Sequence, residues 1–374
     1  MKPLLSQCLI GYRFGKINVN KNYFLCCGTP SIGNYNINGG FKEFWHSDTY
    51  NDLRKKLKYD LEGQNKKWNG DCFECPHYAV ESMVLENLEN QKNNVYGILT
   101  EDRKEGMIND SPEVGPREFQ FEVGNPCNHR CNFCWNWSYD MIENNGQWDG
   151  WKDWSKQTFD LETYISIIDD LKELGGCEQI SISGGGEPFI IKDIMKMIEY
   201  TKNLGFNLKI FTNFSRVNLK DIDNLIKWGV DRFEVNISAG TEETYCKTRK
   251  LKSKDWNLLI DNLTYLNEKR KELNLLSPIK YVVIVTKENI EEIDEIFELA
   301  IKFGCYFIDF RDLVIQGVYK GEDLAPTEKQ IKVFNEKFFK NIKKYGFKKV
   351  KDEYYYYSKK LDLGVFNECI SYRR

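Results

Sequence analysis

The stretch "REFQFEVGNPCNHRCNFCW", residues 117–135, joins a predicted strand to three closely spaced cysteines. The strand is the β-rich run 117–123, and Cys127, Cys131 and Cys134 follow it. For the cysteine content of this chain, such a spacing has a chance expectation of about 0.01, so we treat it as informative. Three thiolates are one ligand short of a closed tetrahedral metal site. The stretch therefore predicts a site that needs a ligand from elsewhere.

Three kinds of site are compatible with this loop. A structural zinc site needs a fourth protein ligand, and His129 would have to fold back into a tight loop to provide it. A redox pair uses only Cys131 and Cys134 and leaves Cys127 without a role. A cubane iron–sulfur cluster held by three thiolates keeps one iron open for an external ligand. The spacing favours the third kind.

Beyond residue 117, short β-rich apolar runs alternate with longer segments of helical period. The predicted strands are 117–123, 178–183, 207–213, 231–238, 279–286 and 305–311. The predicted helices between and after them are 161–175, 191–205, 218–229, 254–273, 289–304 and 326–344. Four helices end at a glycine, as C-terminal caps do, namely Gly175, Gly205, Gly229 and Gly304. Six βα units predict parallel strands, in a doubly wound sheet or an incomplete barrel.

Length and charge limit the class of protein. With 374 residues, a formal charge of −3 and 29% charged residues, the chain resembles an ordinary soluble protein of about two domains. The acidic balance argues against a nucleic-acid partner. We find no apolar run long enough to span a membrane and no secretory signal, so we expect no membrane association and a cytoplasmic location. Twelve cysteines in such a chain indicate metal binding before disulfides.

The first part of the chain has a different composition. It is rich in Asn, Gly and Tyr, shows one convincing helix at 47–61, and carries its cysteines on predicted loops. We predict a small metal-held, cysteine-rich domain at 1–87 and a polar linker at 88–116. The core would span 117–345, and 346–374 would form a C-terminal extension.

The triplet CxxxCxxC, with the aromatic Phe133 before its last cysteine and six βα units around it, resembles the radical S-adenosylmethionine (radical SAM) superfamily. The resemblance covers 117–345 and implies an α/β fold, a partial (β/α)6 TIM-like barrel. It also implies a [4Fe–4S] cluster on Cys127, Cys131 and Cys134, with S-adenosylmethionine at the open iron. Such an enzyme cleaves S-adenosylmethionine reductively and uses the resulting 5′-deoxyadenosyl radical to abstract a hydrogen atom from a substrate. No residue is assigned to substrate chemistry, and the reaction stays unspecified beyond an oxidoreductase or peptide-maturase type.

Further motifs at strand ends are similar to those of the same family. "SGGGEP" after the second strand resembles its GGEP motif, whose backbone meets the methionine amino group. "TNFS" resembles its TNG turn, with Phe214 where glycine is usual. Together with Phe133, the residues that the resemblance assigns to cofactor binding are Gly185, Gly186, Glu187, Thr212, Asn213, Ser238, Arg249 and Asn289.

The N-terminal cysteines resemble the SPASM or twitch module of such enzymes. The likeness includes a Cys-Cys pair, "IGN", F-W-x-S-x-x-Y-x-x-L-R and CxxC. It implies one auxiliary [4Fe–4S] cluster on Cys8, Cys26, Cys72 and Cys75, with Cys27 as an alternative to Cys26. A zinc ribbon would satisfy the same four thiols. In the family this module follows the barrel, whereas here it precedes it. Cys369 lies where a following module would begin, so 346–374 resembles the start of another one.

The loop after the triplet contains Trp135, Trp137, Trp148, Trp151 and Trp154, in a lid or substrate platform or in a hydrophobic cluster beside the site. For the whole chain we expect peptide or protein modification, with sugars or small metabolites as other substrates and flavodoxin or ferredoxin as reductant. The alternatives are a non-catalytic iron–sulfur electron carrier or cluster-binding protein, which does not need the glycine loop, and an RNA-modifying radical enzyme.

Overall fold

The structure is a computed structural model of an α/β protein. It describes residues 8–26, 31–59, 101–138, 150–311, 313, 322–346, 348–350, 353–358 and 361–366. Among these residues, no helix combines the length and the apolar character that crossing a membrane requires. Cys27, Cys72, Cys75, Cys369 and Trp148 lie outside the described residues, as do 60–100 and 139–149.

The six strands predicted from the sequence are confirmed, each within a few residues of its predicted ends. They are β4 (Glu118–Glu122), β5 (Gln179–Ser183), β6 (Leu208–Thr212), β7 (Arg232–Asn236), β8 (Ile279–Ile284) and β9 (Phe307–Arg311). Three short strands precede them: β1 (Phe14–Ile17), β2 (Asn22–Phe24) and β3 (Gly33–Asn34). Three follow: β10 (Lys348–Val350), β11 (Glu353–Ser358) and β12 (Leu361–Phe366).

The helices that alternate with the six strands are also confirmed. They are α7 (Leu161–Glu173), α8 (Ile194–Asn203), α9 (Leu219–Lys227), α11 (Ser253–Glu272), α12 (Ile293–Lys302) and α13 (Glu328–Lys344). A further helix, α10 (Glu242–Arg249), was not predicted. Shorter helices earlier in the chain are α1 (Ile10–Arg13), α2 (Tyr35–Asn38), α3 (Phe41–His46), α4 (Asp48–Tyr59), α5 (Glu101–Asn109) and α6 (Trp151–Trp154).

The four glycines expected to end helices all have left-handed backbone angles. Gly175 and Gly205 have φ of +83°, Gly229 has +69° and Gly304 has +63°. An L side chain rarely adopts these angles, so glycine ends the helix at little cost.

The chain divides into two compact units. The first contains Met1–Gly124, Gln157–Gly184 and Lys196–Leu208, and the second contains the remaining residues. In the first unit the strand order is β5-β4-β1-β2-β3. Strand β1 pairs in parallel with β4, and β4 pairs in parallel with β5. The N-terminal segment thus extends the sheet of the first βα unit.

This first unit has an aromatic core that the sequence reasoning missed. Tyr23 stacks on Phe44 with ring centroids 4.7 Å apart, and Phe41 meets Phe119 of β4 edge-on at 4.6 Å. Trp45, like these residues, is fully buried. Aromatic side chains bury large areas, so this segment has a core of its own as well as cysteines. Helix α5 lies within the predicted linker, whose earlier part is outside the described residues.

In the second unit the strand order is β10-β11-β12-β9-β8-β7-β6. Strands β6 to β9 run parallel, and β12 adds a further parallel strand beside β9. Side chains on one face of these strands are apolar and pack on helices, as Phe310 does against Phe334 and Phe338 of α13. The other face carries charged side chains, such as Lys280, Asp309 and Arg311, together with apolar ones, such as Val282 and Ile284. Because the strands are parallel, their carboxyl ends lie along one edge, where ligands of such sheets bind.

Candidate functional site

The three cysteines of the triplet lie on a loop that begins directly after β4. Two backbone hydrogen bonds attach this loop to the end of α10, from Arg130 N to Arg249 O (3.2 Å) and from Asn132 N to Thr248 O (2.8 Å). A third, from Cys134 N to Cys131 O (3.0 Å), closes the turn between the last two cysteines. The loop therefore has a defined backbone before any ligand binds.

The thiols are partly buried and surrounded by donors and cations. The backbone N–H of Trp137 donates to Cys134 Sγ at 3.2 Å. Burial raises the pKa of Cys134 to about 12 and the pKa of Cys127 further, and the neighbouring Cys131 adds to both shifts, while backbone hydrogen bonds oppose them. Burial also raises the pKa of Cys131, although the cations of Arg249 and Arg130 oppose it. Metal binding removes the thiol proton, so a bound metal would hold these groups as thiolates.

His129 makes a contact outside the cysteine loop, which does not favour it as a metal ligand. Its Nε2 lies 3.1 Å from Ser215 Oγ at the end of β6. Burial and the cations of Arg249, Arg216 and Arg130 hold the pKa of His129 well below its usual range. The neutral ring thus joins the cysteine loop to the turn after β6, and the neighbouring Asn128 donates to the same hydroxyl at 3.0 Å.

The glycine loop after β5 lies directly against the cysteine loop. A Cβ added to Gly186 would come 1.9 Å from the carbonyl oxygen of Pro126, and one added to Gly185 would come 2.6 Å from the indole of Trp154. The N–H of Glu187 donates to the same Pro126 oxygen at 2.8 Å. Neither glycine has a positive φ, so close approach, and not a left-handed turn, requires glycine here. Pro126 immediately precedes Cys127, so the two loops form one unit.

The Glu187 side chain is turned into the protein. It accepts from Thr212 Oγ1 at 2.6 Å, from Asn213 N at 2.7 Å and from Phe189 N at 3.1 Å. Burial raises the pKa of Glu187 to about 7, while these three donors oppose the shift. Glu187 therefore joins the glycine loop to the turn after β6, and its backbone faces the cysteine loop.

The turn after β6 consists of Thr212, Asn213 and Phe214. Phe214 has φ of +57°, in the left-handed region, where the resembling family has glycine. Its N–H bonds to Thr212 Oγ1 at 2.8 Å, and its ring is fully buried. Asn213 donates from Nδ2 to Asn128 Oδ1 at 3.0 Å, across to the cysteine loop. The departure from the motif thus keeps the backbone shape of the turn and fills the space beside it with a ring.

Ser238 and Asn289 hold the ends of β7 and β8 together. Ser238 also has a positive φ, of +45°, and its Oγ accepts from Ile284 N at 2.8 Å. Asn289 donates from Nδ2 to Ser238 O at 2.9 Å and to Ile284 O at 2.8 Å, and its Oδ1 accepts from Thr286 N at 2.9 Å. Both N–H groups of Asn289 Nδ2 are already in hydrogen bonds, so Asn289 could offer a ligand only a lone pair of Oδ1 as an acceptor.

Arg249 is fully buried beside the triplet. Its guanidinium lies 5.1 Å from the Phe133 ring centroid and 4.5 Å from that of Tyr245, and it donates to Asn236 Oδ1 at 3.2 Å. Its Nε has no hydrogen-bond partner within the described part of the chain, where no carboxylate pairs with it either. A buried cationic donor without a partner is costly, so this nitrogen is available to a ligand. Phe133 itself packs on Leu313 and Leu324, with Cys131 beside them.

The described tryptophans of the aromatic loop are mostly packed. Trp137 donates from Nε1 to Asn125 O at 2.9 Å, and the Arg130 guanidinium lies 4.3 Å from its ring. Trp151 meets Trp137 edge-on at 5.0 Å. Trp135, next to Cys134, is 52% exposed. Most of this aromatic set thus forms a hydrophobic cluster, and Trp135 alone among the described members is open to a partner.

The N-terminal cysteines are only partly described. Cys8 donates from its backbone N–H to Leu57 O at 3.2 Å, and Cys26 lies close enough to Tyr50 to affect it electrostatically. The F-W-x-S-x-x-Y-x-x-L-R motif has a structural role: Arg54 is buried between the rings of Trp45 and Tyr50, 3.8 and 3.9 Å from their centroids. The sequence could not reveal this cation–π stack, because its members are spaced along two helices.

Sequence reasoning missed several residues of the site, including Arg130, Asn128 and Ser215. Arg130 lies inside the triplet, and its guanidinium donates to Cys127 O at 2.9 Å. Its position in the sequence between two candidate ligands, Cys127 and Cys131, could have identified it as a site residue. No feature of the sequence could have predicted the contact between Ser215 and His129, since these residues are far apart in the chain.

The residues present fit an iron–sulfur cluster and a zwitterionic ligand. The donor set consists of three thiols on one loop, a backbone N–H on a thiol sulfur, a glycine loop without side chains, and the available Nε of Arg249. Within the described ranges, no three His, Cys, Asp or Glu are placed to share a single metal ion. The thiolates of a cubane bind separate irons and do not have to meet at one ion.

The three thiols after the first core strand and the glycine loop after the next both lie in a segment that matches a known family. Residues 121–300 match the family model of the radical SAM superfamily. They form a radical SAM domain, and the proteins that share this domain are enzymes.

Two curated relatives illustrate the similarity. A tungsten-containing aldehyde ferredoxin oxidoreductase cofactor-modifying protein of Pyrococcus furiosus is 24% identical over 186 residues, which cover 49% of this chain and 48% of that protein. A probable GTP 3′,8-cyclase of Methanocaldococcus jannaschii is 24% identical over 239 residues, 61% of this chain and 72% of that protein. The matched part thus spans about half the length of the first relative.

Among solved structures, Streptococcus suis SuiB bound to S-adenosylmethionine is similar, with a TM-score of 0.48 and 15% identity. The match covers 73% of this chain and 60% of that chain.

Proposed function

We propose that the chain is a radical SAM enzyme that cleaves S-adenosylmethionine reductively and abstracts a hydrogen atom from its substrate. The observation that carries the proposal is the contact between the glycine loop and the cysteine loop. Gly186 leaves no room for a side chain against Pro126, and Cys127 is the next residue. A non-catalytic iron–sulfur protein needs the thiols but has no need for this glycine loop.

In this proposal Cys127, Cys131 and Cys134 hold a [4Fe–4S] cluster. A cluster with one open iron supplies the electron that cleaves S-adenosylmethionine to the 5′-deoxyadenosyl radical. The backbone of Gly185 and Gly186 receives the methionine amino group, and Arg249 receives the carboxylate through its available Nε. Such a charge-assisted hydrogen bond is stronger than a neutral one. Glu187, Thr212, Asn213, Ser238 and Asn289 keep the strand ends in place, and Phe133 supports Arg249.

For the N-terminal segment we propose an auxiliary [4Fe–4S] cluster on Cys8, Cys26, Cys72 and Cys75. The resemblance of its motifs to the SPASM or twitch module supports this. Peptides and proteins are frequent substrates of enzymes with that module, so we propose a peptide or protein substrate, with a sugar or small metabolite as the alternative. A flavodoxin or ferredoxin would deliver the electron in the cytoplasm, where thiols stay reduced.

The test is the formation of 5′-deoxyadenosine by the anaerobically reconstituted protein with S-adenosylmethionine and dithionite. We expect the wild type to form it and Cys131→Ala to lose the activity together with about four irons per chain. Cys246→Ala is the matched control, because Cys246 is a partly buried thiol on α10 that belongs to neither proposed cluster.

An electron carrier would keep its iron and form no 5′-deoxyadenosine. Iron retention without product in the wild type would therefore contradict the proposed function. Loss of product in Cys246→Ala at normal iron content would contradict the assignment to the triplet.

A further inference from the structure

Four charged side chains form a network on the face of strands β7 to β9 opposite to the one that packs on the helices. Lys280 Nζ lies 2.7 Å from Asp309 Oδ2 and 3.7 Å from Glu234 Oε1. Arg311 Nη2 lies 2.6 Å from Asp309 Oδ2 and 2.9 Å from Glu234 Oε2. The two positive and two negative charges cancel, so the network has no net charge. Both carboxylates are almost completely buried. Each carboxylate pairs with both cations.

Arg311 is the member of this network that has the most exposed side chain and a nitrogen outside the network's hydrogen bonds. Its Nε donates to Asp309 at 2.9 Å and its Nη2 donates to both acids, whereas its Nη1 makes no hydrogen bond to any described residue. The Arg311 side chain is 38% exposed, against 4% for Glu234 and 10% for Asp309. Burial alone would lower the pKa of Arg311, but Asp309 and Glu234 outweigh it and raise the pKa. A permanent cation is thus held rigidly with two N–H groups directed away from its partners.

The position of Arg311 relates it to the triplet. It is the last residue of β9, and its partner in the register across to β8 is Ile284. Ile284 packs against the cluster of Phe133, Leu313 and Leu324, as Cys131 does. Directly opposite residues of paired strands point to the same face. Arg311 and Ile284 therefore lie at the same edge and on the same face, beside the apolar side of the cysteine loop.

We infer that Arg311 binds an anionic group of the substrate, a carboxylate or a phosphate, through its Nη1 N–H groups. This inference rests on the proposed function, because it assigns the substrate of that same site. The two buried carboxylates orient the guanidinium and satisfy its other edge, so a ligand oxyanion meets a donor that needs little reorganisation. Lys280 has its ammonium between the same acids and is less exposed, at 17% of its side chain. Arg311 is therefore the member that a ligand can reach.

The experiment measures the labelling of Arg311 by phenylglyoxal in the reconstituted protein, mapped by mass spectrometry. Acetate and inorganic phosphate are added separately at constant ionic strength, with chloride as the reference. Arg232 is the internal control, because it lies on the same face of β7 but at the opposite end of the strand. We expect acetate, phosphate or both to slow labelling of Arg311 and to leave Arg232 unchanged.

Protection by acetate alone identifies a carboxylate site, and protection by phosphate alone identifies a phosphate site. Equal labelling in acetate, phosphate and chloride would overturn the inference. Protection of Arg311 by S-adenosylmethionine alone would overturn it as well, because the guanidinium would then belong to the cofactor site.

Variants separate binding from a purely structural role. By equilibrium dialysis with radiolabelled phosphate, we expect Arg311→Gln to bind about tenfold more weakly than wild type, Arg311→Lys to recover part of the loss, and Arg232→Gln to match wild type. Arg311→Gln could instead show a lower unfolding midpoint with unchanged binding of phosphate and acetate. That result would mean that Arg311 only supports the strands, and it would overturn the inference.

The formation of 5′-deoxyadenosine without substrate distinguishes this inference from the proposed function. If the wild type forms 5′-deoxyadenosine and neither anion protects Arg311, the inference alone fails. If the wild type forms none while an anion protects Arg311, the proposed function fails and the oxyanion site stands.

Discussion

Phe214 shows how one residue can depart from a motif and still preserve its geometry. Its φ of +57° is an angle that glycine adopts without cost and an aromatic residue rarely adopts. The buried ring packs edge-on against Phe233 at 5.3 Å, which stabilises the turn. The sequence has Phe214 where the motif that follows Thr212 and Asn213 usually has glycine. In the structure both side chains make the hydrogen bonds that hold the turn.

The strain at Phe214 can be measured with two variants. Phe214→Ala should destabilise the protein by about 3–5 kcal/mol, because a buried ring is lost. Phe214→Gly removes the same ring but relieves the left-handed strain, so we expect it to be about 1 kcal/mol more stable than Phe214→Ala. Chemical unfolding of the two variants gives the difference in free energy.

Phe233 supplies the control pair, since its ring is also buried but its backbone is that of a strand. There the order should reverse, with Phe233→Gly less stable than Phe233→Ala, because glycine loses more backbone entropy. The same order at both positions would refute the strain at Phe214.

At the scale of elements, the glycine loop and the cysteine loop are packed together as one structural unit. The obstacle to a side chain at Gly186 is the backbone carbonyl of Pro126, which cannot move without moving Cys127. We therefore expect Gly186→Ala to reduce iron incorporation severely and to destabilise the protein by about 1–3 kcal/mol. Iron analysis after anaerobic reconstitution and chemical unfolding measure the two effects.

Gly205→Ala is the matched variant. Nothing lies within 4 Å of a Cβ at Gly205, but its φ is +83°. This change should cost about 1 kcal/mol of backbone strain and leave the iron content unchanged. Normal iron content in Gly186→Ala would show that the loops are less tightly coupled than their contact indicates.

Helices α4 and α5 are joined by Asp110. Its carboxylate accepts from Lys58, Tyr12 and Tyr59, each at 2.8 Å. Burial alone would raise the pKa of Asp110, but these three donors outweigh it, and the pKa is lowered. A carboxyl with a lowered pKa stabilises the folded state above its unfolded pKa of about 3.9, and the contribution is lost as the pH falls through the folded value.

We therefore expect Asp110→Asn to be about 1–3 kcal/mol less stable than wild type at pH 7, with the difference shrinking below about pH 4. Asparagine tolerates the φ of +55° at this position, so the change tests charge and not strain. Unfolding at several pH values measures it. Asp52→Asn, at an exposed aspartate on α4, should show no such dependence. A constant difference from pH 7 to pH 3 would contradict this role of Asp110.

At the scale of the whole molecule, the number of clusters is the quantity to measure. Two cubanes would give about eight irons per chain, and the triplet alone about four. We expect about eight in the wild type, and about four after Cys8→Ala with Cys26→Ala or after replacement of Cys127, Cys131 and Cys134. Iron and sulfide analysis measures this, and Cys246→Ala should keep the wild-type content.

Zinc in place of about half of the iron would identify the N-terminal site as a zinc ribbon and contradict the auxiliary cluster. An iron content that does not change in the variant lacking Cys8 and Cys26 would likewise exclude these residues as ligands.

The sequence by itself determined the alternation of strands and helices, the helix-ending glycines and the three thiols after the first core strand. Each of these depends on residues close together in the chain, through periodicity, backbone preference and spacing. Only the tertiary structure decided that Gly186 fits against Pro126, that Glu187 faces Thr212 and Asn213, and that Arg54 stacks between Trp45 and Tyr50. It also revealed the network that ends at Arg311, because register across β7, β8 and β9 brings these charges together. Such contacts join residues far apart in the chain, and no local pattern contains them.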